Sequence, residues 1–286
     1  MLHYTITELT DHSNEQIDAI ARLEQRCKQF EQINVSVGIE HLGKEGGDRA
    51  ILCYRQDEVI GVLAWYTSDG IIANVNAAVH PDYRRQGVFR SMLQRAREDM
   101  KLQRLQTICY RIPSGSDSGF GCVQSLGAGF NRSEYSMTLA HLRTAQPHHS
   151  DIGLHPAQPA DLEFIVSCLS QAFGDSESWT REYWARTNKP GRMNYIALAN
   201  HTRVGLIRVN ALQPTAAIIH DFCILPSRQG KGLGRDVLAQ TVSLLLEEGF
   251  AQIRLSVVTV NDRALHLYRN VGFEVRSEFQ YYIGDL

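Results

Sequence analysis

The spacing of apolar residues divides this chain into strand-like and helix-like stretches, and one succession of them occurs twice. In the second half, Asp161 is a natural N-cap for a helix with Leu162, Ile165, Val166 and Leu169 on one face. A second helix follows through Trp179-Thr180-Arg181-Glu182-Tyr183-Trp184. Ile196–Ala199 and Val204–Val209 read as hairpin strands around Asn200-His201-Thr202-Arg203. Ala216–Leu225 is an apolar run closed by Pro226. Leu233, Val237, Leu238, Thr241, Val242 and Leu245 then recur with helical spacing. Gln252–Thr259 alternates apolar and polar, as a strand with one more exposed face does. Last, Asn261 caps a helix with Ala264, Leu265, Tyr268 and Val271 on one face, and Gly272 stops it.

The first half carries a faded copy. A helix starts near Asn14, and Ala50–Tyr54 and Val59–Trp65 flank the turn Arg55-Gln56-Asp57-Glu58. Ala73–Pro81 matches the strand ending at Pro226, and Arg84-Arg85-Gln86-Gly87-Val88-Phe89 matches the turn after it. Met92, Leu93, Ala96 and Met100 repeat the helix, and Gly129-Phe130 repeats Gly272-Phe273. Two copies of one domain are implied, not a solenoid. The expected boundaries are residues 1–142 for a degenerate N-terminal domain, 143–152 for a linker and 153–286 for a C-terminal domain. The linker carries His148 and His149, which read as solvated. Each copy is expected to be α+β (mixed α/β), a twisted mixed sheet flanked by helices.

A length of 286 residues suits two domains, and 43% apolar residues suffice for two cores. A net charge of −2 gives no broad attraction to nucleic acid or anionic lipid. The six cysteines form no C-x-x-C pair, so no metal site is expected. No signal-like start and no apolar run of roughly 20 residues is present. The expectation is a cytoplasmic protein with neither nucleic acid nor membrane as a partner.

The richest chemistry lies in Arg228-Gln229-Gly230-Lys231-Gly232-Leu233-Gly234, between a strand and a helix. Amides at a helix start lack internal partners, and the helix dipole adds positive charge there. An anion site follows, suited to a phosphate or diphosphate. The spacing fits neither G-x-x-x-x-G-K-[ST] nor G-x-G-x-x-G. It is Q-x-x-G-x-G, and it resembles the acetyl-CoA loop of the GNAT N-acetyltransferase superfamily. The pattern N-x-x-A-x-x-L-Y-x-x-x-G-F from Asn261 to Phe273 resembles the second half of that family's cofactor site. The tandem arrangement resembles that of mycothiol synthase, a two-copy member.

The resemblance implies direct transfer of acetyl from acetyl-CoA to a primary amine of a small molecule, peptide or protein. Asp221 is the candidate base, and Tyr268 the candidate acid for the leaving thiolate. Alternation puts His220 on the opposite face from Asp221, and His266 lies off the Tyr268 face. Phe222, Cys223 and Ile224 would meet the pantetheine arm through their backbone. Amides from Gln229 through Gly230, Lys231, Gly232 and Leu233 to Gly234 would hold the diphosphate, with charge from Arg228 or Lys231. Asn261 would touch the cofactor arm or fix the helix start. Cys223 reads as packing, because no base to activate its thiol is evident and the resemblance implies direct transfer without an acyl-enzyme. Trp179, Tyr183 and Trp184 would wall the acceptor cleft. In the first copy, Asn76, Phe89 and Ser125 replace Asp221, Gly234 and Tyr268. The competing reading is a non-catalytic CoA-binding or regulatory tandem module.

Overall fold

The computed structural model describes residues 3–9, 13–42, 48–143, 149, 151–189, 191–258 and 262–286. They fall into two compact units. One comprises Met1–Glu134 with Ser277–Leu286, the other Tyr135–Arg276.

The first unit holds strands β1 (Thr5–Glu8), β2 (Arg49–Arg55), β3 (Glu58–Tyr66), β4 (Ile72–Val79) and β5 (Thr107–Pro113). β1 to β4 pair antiparallel in succession, and β4 then runs parallel to β5. The chain later returns: in β12 (Phe273–Asp285), residues Phe279–Asp285 lie antiparallel along β5. Two helices cover opposite faces. α2 (Val88–Leu102) buries Val88, Met92, Leu93, Ala96 and Met100 on one, and α1 (Asn14–Glu31) buries Ile20, Leu23 and Cys27 on the other. A nine-residue helix, α3 (Asp117–Ser125), starts at Ser116, whose hydroxyl accepts from Gly119 N–H.

The second unit repeats this plan. β6 (Gly129–Leu139) enters it at Tyr135, and β7 (Ile152–Pro156), β8 (Arg192–Ala199), β9 (Thr202–Gln213) and β10 (Ala216–Ile224) pair antiparallel in order. β10 is then parallel to β11 (Gln252–Val258). α6 (Leu233–Glu247) and α7 (Asp262–Val271) pack on one face, α4 (Leu162–Phe173) and α5 (Glu177–Thr187) on the other. Each unit is thus the expected mixed sheet between helices.

The observed division differs from the expected boundaries in two places. The second unit begins before the expected linker, and the last ten residues belong to the first unit. Most of that linker, residues 144–148 and 150, lies outside the described residues, and His148 with it. His149 is not simply solvated: its N–H and Nδ1 lie 2.9 and 3.0 Å from Oδ2 of buried Asp236 on α6. Gly272 ends α7 with φ +116, and the space beside its Cα is filled by the backbone at His141. A side chain there would overlap the His141 carbonyl, so close approach and conformation both require glycine. Among the described residues, no helix is long and apolar enough to cross a membrane.

Candidate functional site

β10 changes partners at the point where the chemistry is expected. Among the described residues it pairs with β11 from Ala216 to Ile219 and no further, although it continues to Ile224. On its other side it stays with β9, but the register slips. His220 faces Arg208 and Cys223 faces Leu206, so Asp221 and Phe222 share one partner position. This is a β-bulge, with Asp221 at φ +47, a conformation aspartate tolerates better than most residues.

The slip exchanges faces. Ala217 and Ile219 pack on the α6 side, as do Phe222 and Ile224, while Cys223 turns toward α4. Simple alternation would have set Cys223 beside Ile219. The bulge also overturns the expectation that His220 and Asp221 point apart. His220 Nδ1 lies 3.4 Å from Asp221 Oδ2.

After β10 the chain makes a tight turn at Pro226–Arg228. The N–H groups of Arg228 and Gln229 bond back to Leu225 and Pro226, at 2.8 and 3.3 Å. The α6 ladder opens with Arg235 and Asp236 donating to Gly232. Between them, the amides of residues 230–234 have no backbone acceptor among the described residues. Gly230 and Gly232 both take left-handed conformations, φ +76 and +81, to turn these amides around the helix start. Five open amides at the positive end of a 15-residue helix suit a diphosphate.

The other expected loop residues divide by task. Gln229 has its N–H in the turn, and its side chain donates to Ile224 O at 2.9 Å. Arg228 and Lys231 are exposed, and Leu233 is buried beneath the loop. A Cβ on Gly234 would press on Leu267 at 2.8 Å, so this glycine lets α6 and α7 approach. Asn261 lies outside the described residues.

Tyr268 is nearly buried and stands edge-on to Phe273, with ring centroids 6.3 Å apart. Burial, and then proximity to Cys223, pushes its phenol up to about 12. The Cys223 thiol lies 3.5 Å from Cys168 Sγ on α4. That hydrogen bond and burial push the thiol well above its ordinary value. His266 is exposed.

On the α5 side, Asp221 is the centre of a polar cluster. Arg208 Nη1 lies 2.8 Å from its Oδ2. Tyr183 donates its hydroxyl to the same carboxylate, at 3.0 and 3.2 Å from the two oxygens. Burial works to raise the Asp221 pKa. The hydrogen bond and charge of His220, then Arg208 and Tyr183, outweigh it and hold the carboxyl below its usual range. Arg208 also donates from Nε to Asn194 at 2.8 Å and from Nη1 to Thr187 at 3.2 Å. Its guanidinium lies 4.3 Å above the Trp184 ring. Of the expected aromatic wall, Tyr183 meets Asp221, Trp184 is buried under Arg208, and exposed Trp179 stacks on Tyr183 at 5.2 Å. Arg208 was missed in the sequence, although a lone cation inside Val204-Gly205-Leu206-Ile207-Arg208-Val209 is itself a signal.

The first unit reproduces the loop without the bulge. Arg85 and Gly87 take φ +62 and +86, matching Gly230 and Gly232. β4 and β5 part after Val75, yet the β3–β4 register runs unbroken from Asn74 to Val79. A cavity of about 410 Å³ opens here, with Glu31, Arg84, Gly87, Ser116 and Ser118 in its wall. Arg84 pairs with Glu31 at 2.7 Å, and Ser118 donates to the same carboxylate at 2.6 Å. Ser125, at the position of Tyr268, bonds its own helix at Cys122 O.

Comparison with known proteins agrees with the repeat. The sequence pattern of the Acetyltransferase (GNAT) family matches residues 15–112 and 162–273. The chain is 32% identical to an uncharacterised protein of Mycobacterium leprae over 120 residues, 41% of this chain and 33% of that one. It is 30% identical over 122 residues to the N-alpha-acetyltransferase RimI of Mycobacterium tuberculosis, 40% of this chain and 73% of that one. A mycothiol acetyltransferase of Kocuria rhizophila is 34% identical over 61 residues, 21% of this chain and 20% of that one. The chain thus spans only a third or less of two of these relatives. Among solved structures, a GCN5-related N-acetyltransferase from Sphaerobacter thermophilus superposes with TM-score 0.82 at 18% identity, over 99% of this chain and 95% of that one. A tandem GNAT protein from the clavulanic acid biosynthesis pathway gives 0.70 at 16% identity, over 99% and 98%.

Proposed function

The chain belongs to the GNAT acetyltransferase family, and on that premise we propose that its second unit transfers acetyl from acetyl-CoA to a primary amine. The observation that carries this reading is the parting of β10 from β11 after Ile219, just ahead of the open amides of residues 230–234. The parted edge offers the backbone of Phe222, Cys223 and Ile224 to an amide-bearing arm, as a neighbouring strand would. The amides offer a seat for the diphosphate at the arm's other end.

The chemistry starts from an ammonium, which must lose one proton before its nitrogen can attack. A C–N bond then forms to the thioester carbonyl carbon, and the C–S bond breaks. The nitrogen sheds a second proton and the sulfur takes one up, so one proton is released per turnover. With its pKa near 12, Tyr268 keeps its proton against a thiol of pKa about 8.5. Its part is to donate a hydrogen bond to the departing sulfur, not to surrender a proton. Asp221, held in its ionised form, draws the acceptor's ammonium and passes a proton to water. The bulge at Asp221–Phe222 supports this placement, because bulges re-aim side chains beside active sites.

A second reading concerns the first unit. The loop at Arg85–Gly87 and its adjoining cavity favour coenzyme A binding there without transfer, since bulge, acid and phenol are all replaced. Titration calorimetry with acetyl-CoA, and thiol release with an amine panel, test both readings. Gly232→Val is expected to abolish turnover, while Gly87→Val removes binding at one site and leaves turnover. Turnover that survives Gly232→Val and disappears with Gly87→Val would move the reaction to the first unit. Binding with no transfer to any amine would favour a regulatory module.

A further inference from the structure

Three polar atoms on β9 and β10 are buried and have no hydrogen-bond partner among the described residues: Arg208 Nη2, Asn210 Oδ1 and His220 Nε2. The sheet brings them together. His220 stands opposite Arg208, and Asn210 lies two residues along β9 on the same face. Arg208 is 0% exposed. Its Nε and Nη1 are occupied by Asn194, Thr187 and Asp221, and both Nη2 hydrogens are left over. A buried charged donor without an acceptor is costly, and native interiors rarely leave one so. Trp184 beneath the guanidinium holds its plane, so the free edge points in one direction.

The charge pattern narrows what that edge takes. Arg208 Nη1 is paired with Asp221, and Arg192 on β8 stands opposite Asn210, so the cluster carries a spare positive charge. That charge favours an anionic group on the free Nη2 edge, while Asp221 remains the partner for an ammonium. A ligand carrying both groups meets both. We infer that the acceptor is an amino-acid-like zwitterion, with its carboxylate on Arg208 Nη2 and its ammonium drawn to Asp221. This rests on reading the second unit as an N-acetyltransferase and names the substrate class of that same site. His220 Nε2 and Asn210 Oδ1 complete the lining. Tyr183, stacked on exposed Trp179, donates to Asp221, so an ammonium at Asp221 competes with its hydroxyl.

The test is a calorimetric comparison of free amino acids with their own carboxamides and with a polyamine, on protein with and without saturating coenzyme A. At least one amino acid is expected to bind about 10- to 100-fold more tightly than its amide, the usual worth of a charge-assisted pair. Arg208→Lys keeps a cation beside Asp221 but removes the second prong, and should erase that preference while leaving coenzyme A affinity intact. Should Arg208→Lys fail to fold by circular dichroism, the wild-type pairs decide alone. Amides or polyamines that bind as well as the acids, or an absence of binding by any acid, would overturn the inference. Failure of coenzyme A to bind would instead strike the enzyme reading, and it appears in a separate titration.

Discussion

Gln229 and Ile224 are joined by a side-chain-to-backbone hydrogen bond, Nε2 to O at 2.9 Å, which ties the glycine-bearing turn to the end of its strand. The first unit makes the same tie with a different residue: Arg84 Nε donates to Val79 O at 3.0 Å. The first letter of the loop motif thus serves loop geometry, and any long side chain with an N–H can fill it. Gln229→Leu should weaken coenzyme A binding about tenfold, a loss typical of one hydrogen bond. Gln229→Arg should restore most of it. Titration calorimetry of the three proteins checks both outcomes.

Tyr268→Phe should lower kcat by roughly 10²-fold with little change in the KM for acetyl-CoA. The same variant has a signature in stability. Because burial raises the phenol's pKa, its favourable contribution is complete below the unfolded value near 10 and is lost as pH rises toward 12. The wild type should lose about 2–3 kcal/mol more than Tyr268→Phe between pH 8 and pH 12. Urea unfolding at both pH values measures the difference.

Asp221→Asn leaves Arg208 as a buried cation without its counter-ion and should destabilise the second unit by about 3–5 kcal/mol. The wild-type Asp221 pKa is depressed, so its contribution is present above the usual carboxylate range and disappears as pH falls through the lower folded value. Thermal melting of the variant reads the stability loss. A pH–rate profile separates the roles: activity that recovers at pH values where the amine is already neutral marks Asp221 as the proton's route out. A folded variant equally slow at every pH would contradict that role.

Cys223→Ala should keep kcat within about threefold of the wild type. The thiol is nearly buried, held against Cys168 and shifted away from thiolate, so it is a poor nucleophile. A loss of 10³-fold or more, or a labelled acyl-protein in mass spectrometry, would show covalent catalysis instead.

Gly272→Ala should cost several kcal/mol, since the added methyl meets the His141 carbonyl in a backbone conformation already unfavourable for L-residues. Soluble yield and melting temperature report it directly.

The repeat, the helices and the glycine-bearing turn between β10 and α6 were legible because each is written in local spacing: Leu233 to Leu245, the glycines at 230 and 232, Ala264 to Phe273. The face of each residue at the end of β10 was not. Alternation fails at one inserted position, and the residue at φ +47 is Asp221, not a glycine that would flag it. That one slip turned Cys223 toward α4 and set Asp221 beside His220. Arg208 was passed over because its partners, Asn194, Thr187 and Asp221, lie on three separate elements. The path of β12 was unreadable for a similar reason, since nothing near Phe279 names β5 as its neighbour.

That returning strand has a consequence for synthesis. The flank of Thr107–Pro113 is covered by Phe279–Asp285, so a ribosome must add more than half the chain before the earlier unit is sealed. At ordinary elongation speeds the gap is on the order of ten seconds or more. Throughout it, a bare row of peptide groups is open to any passing extended segment. Nascent chains cut short before residue 279 would be the species a chaperone must guard.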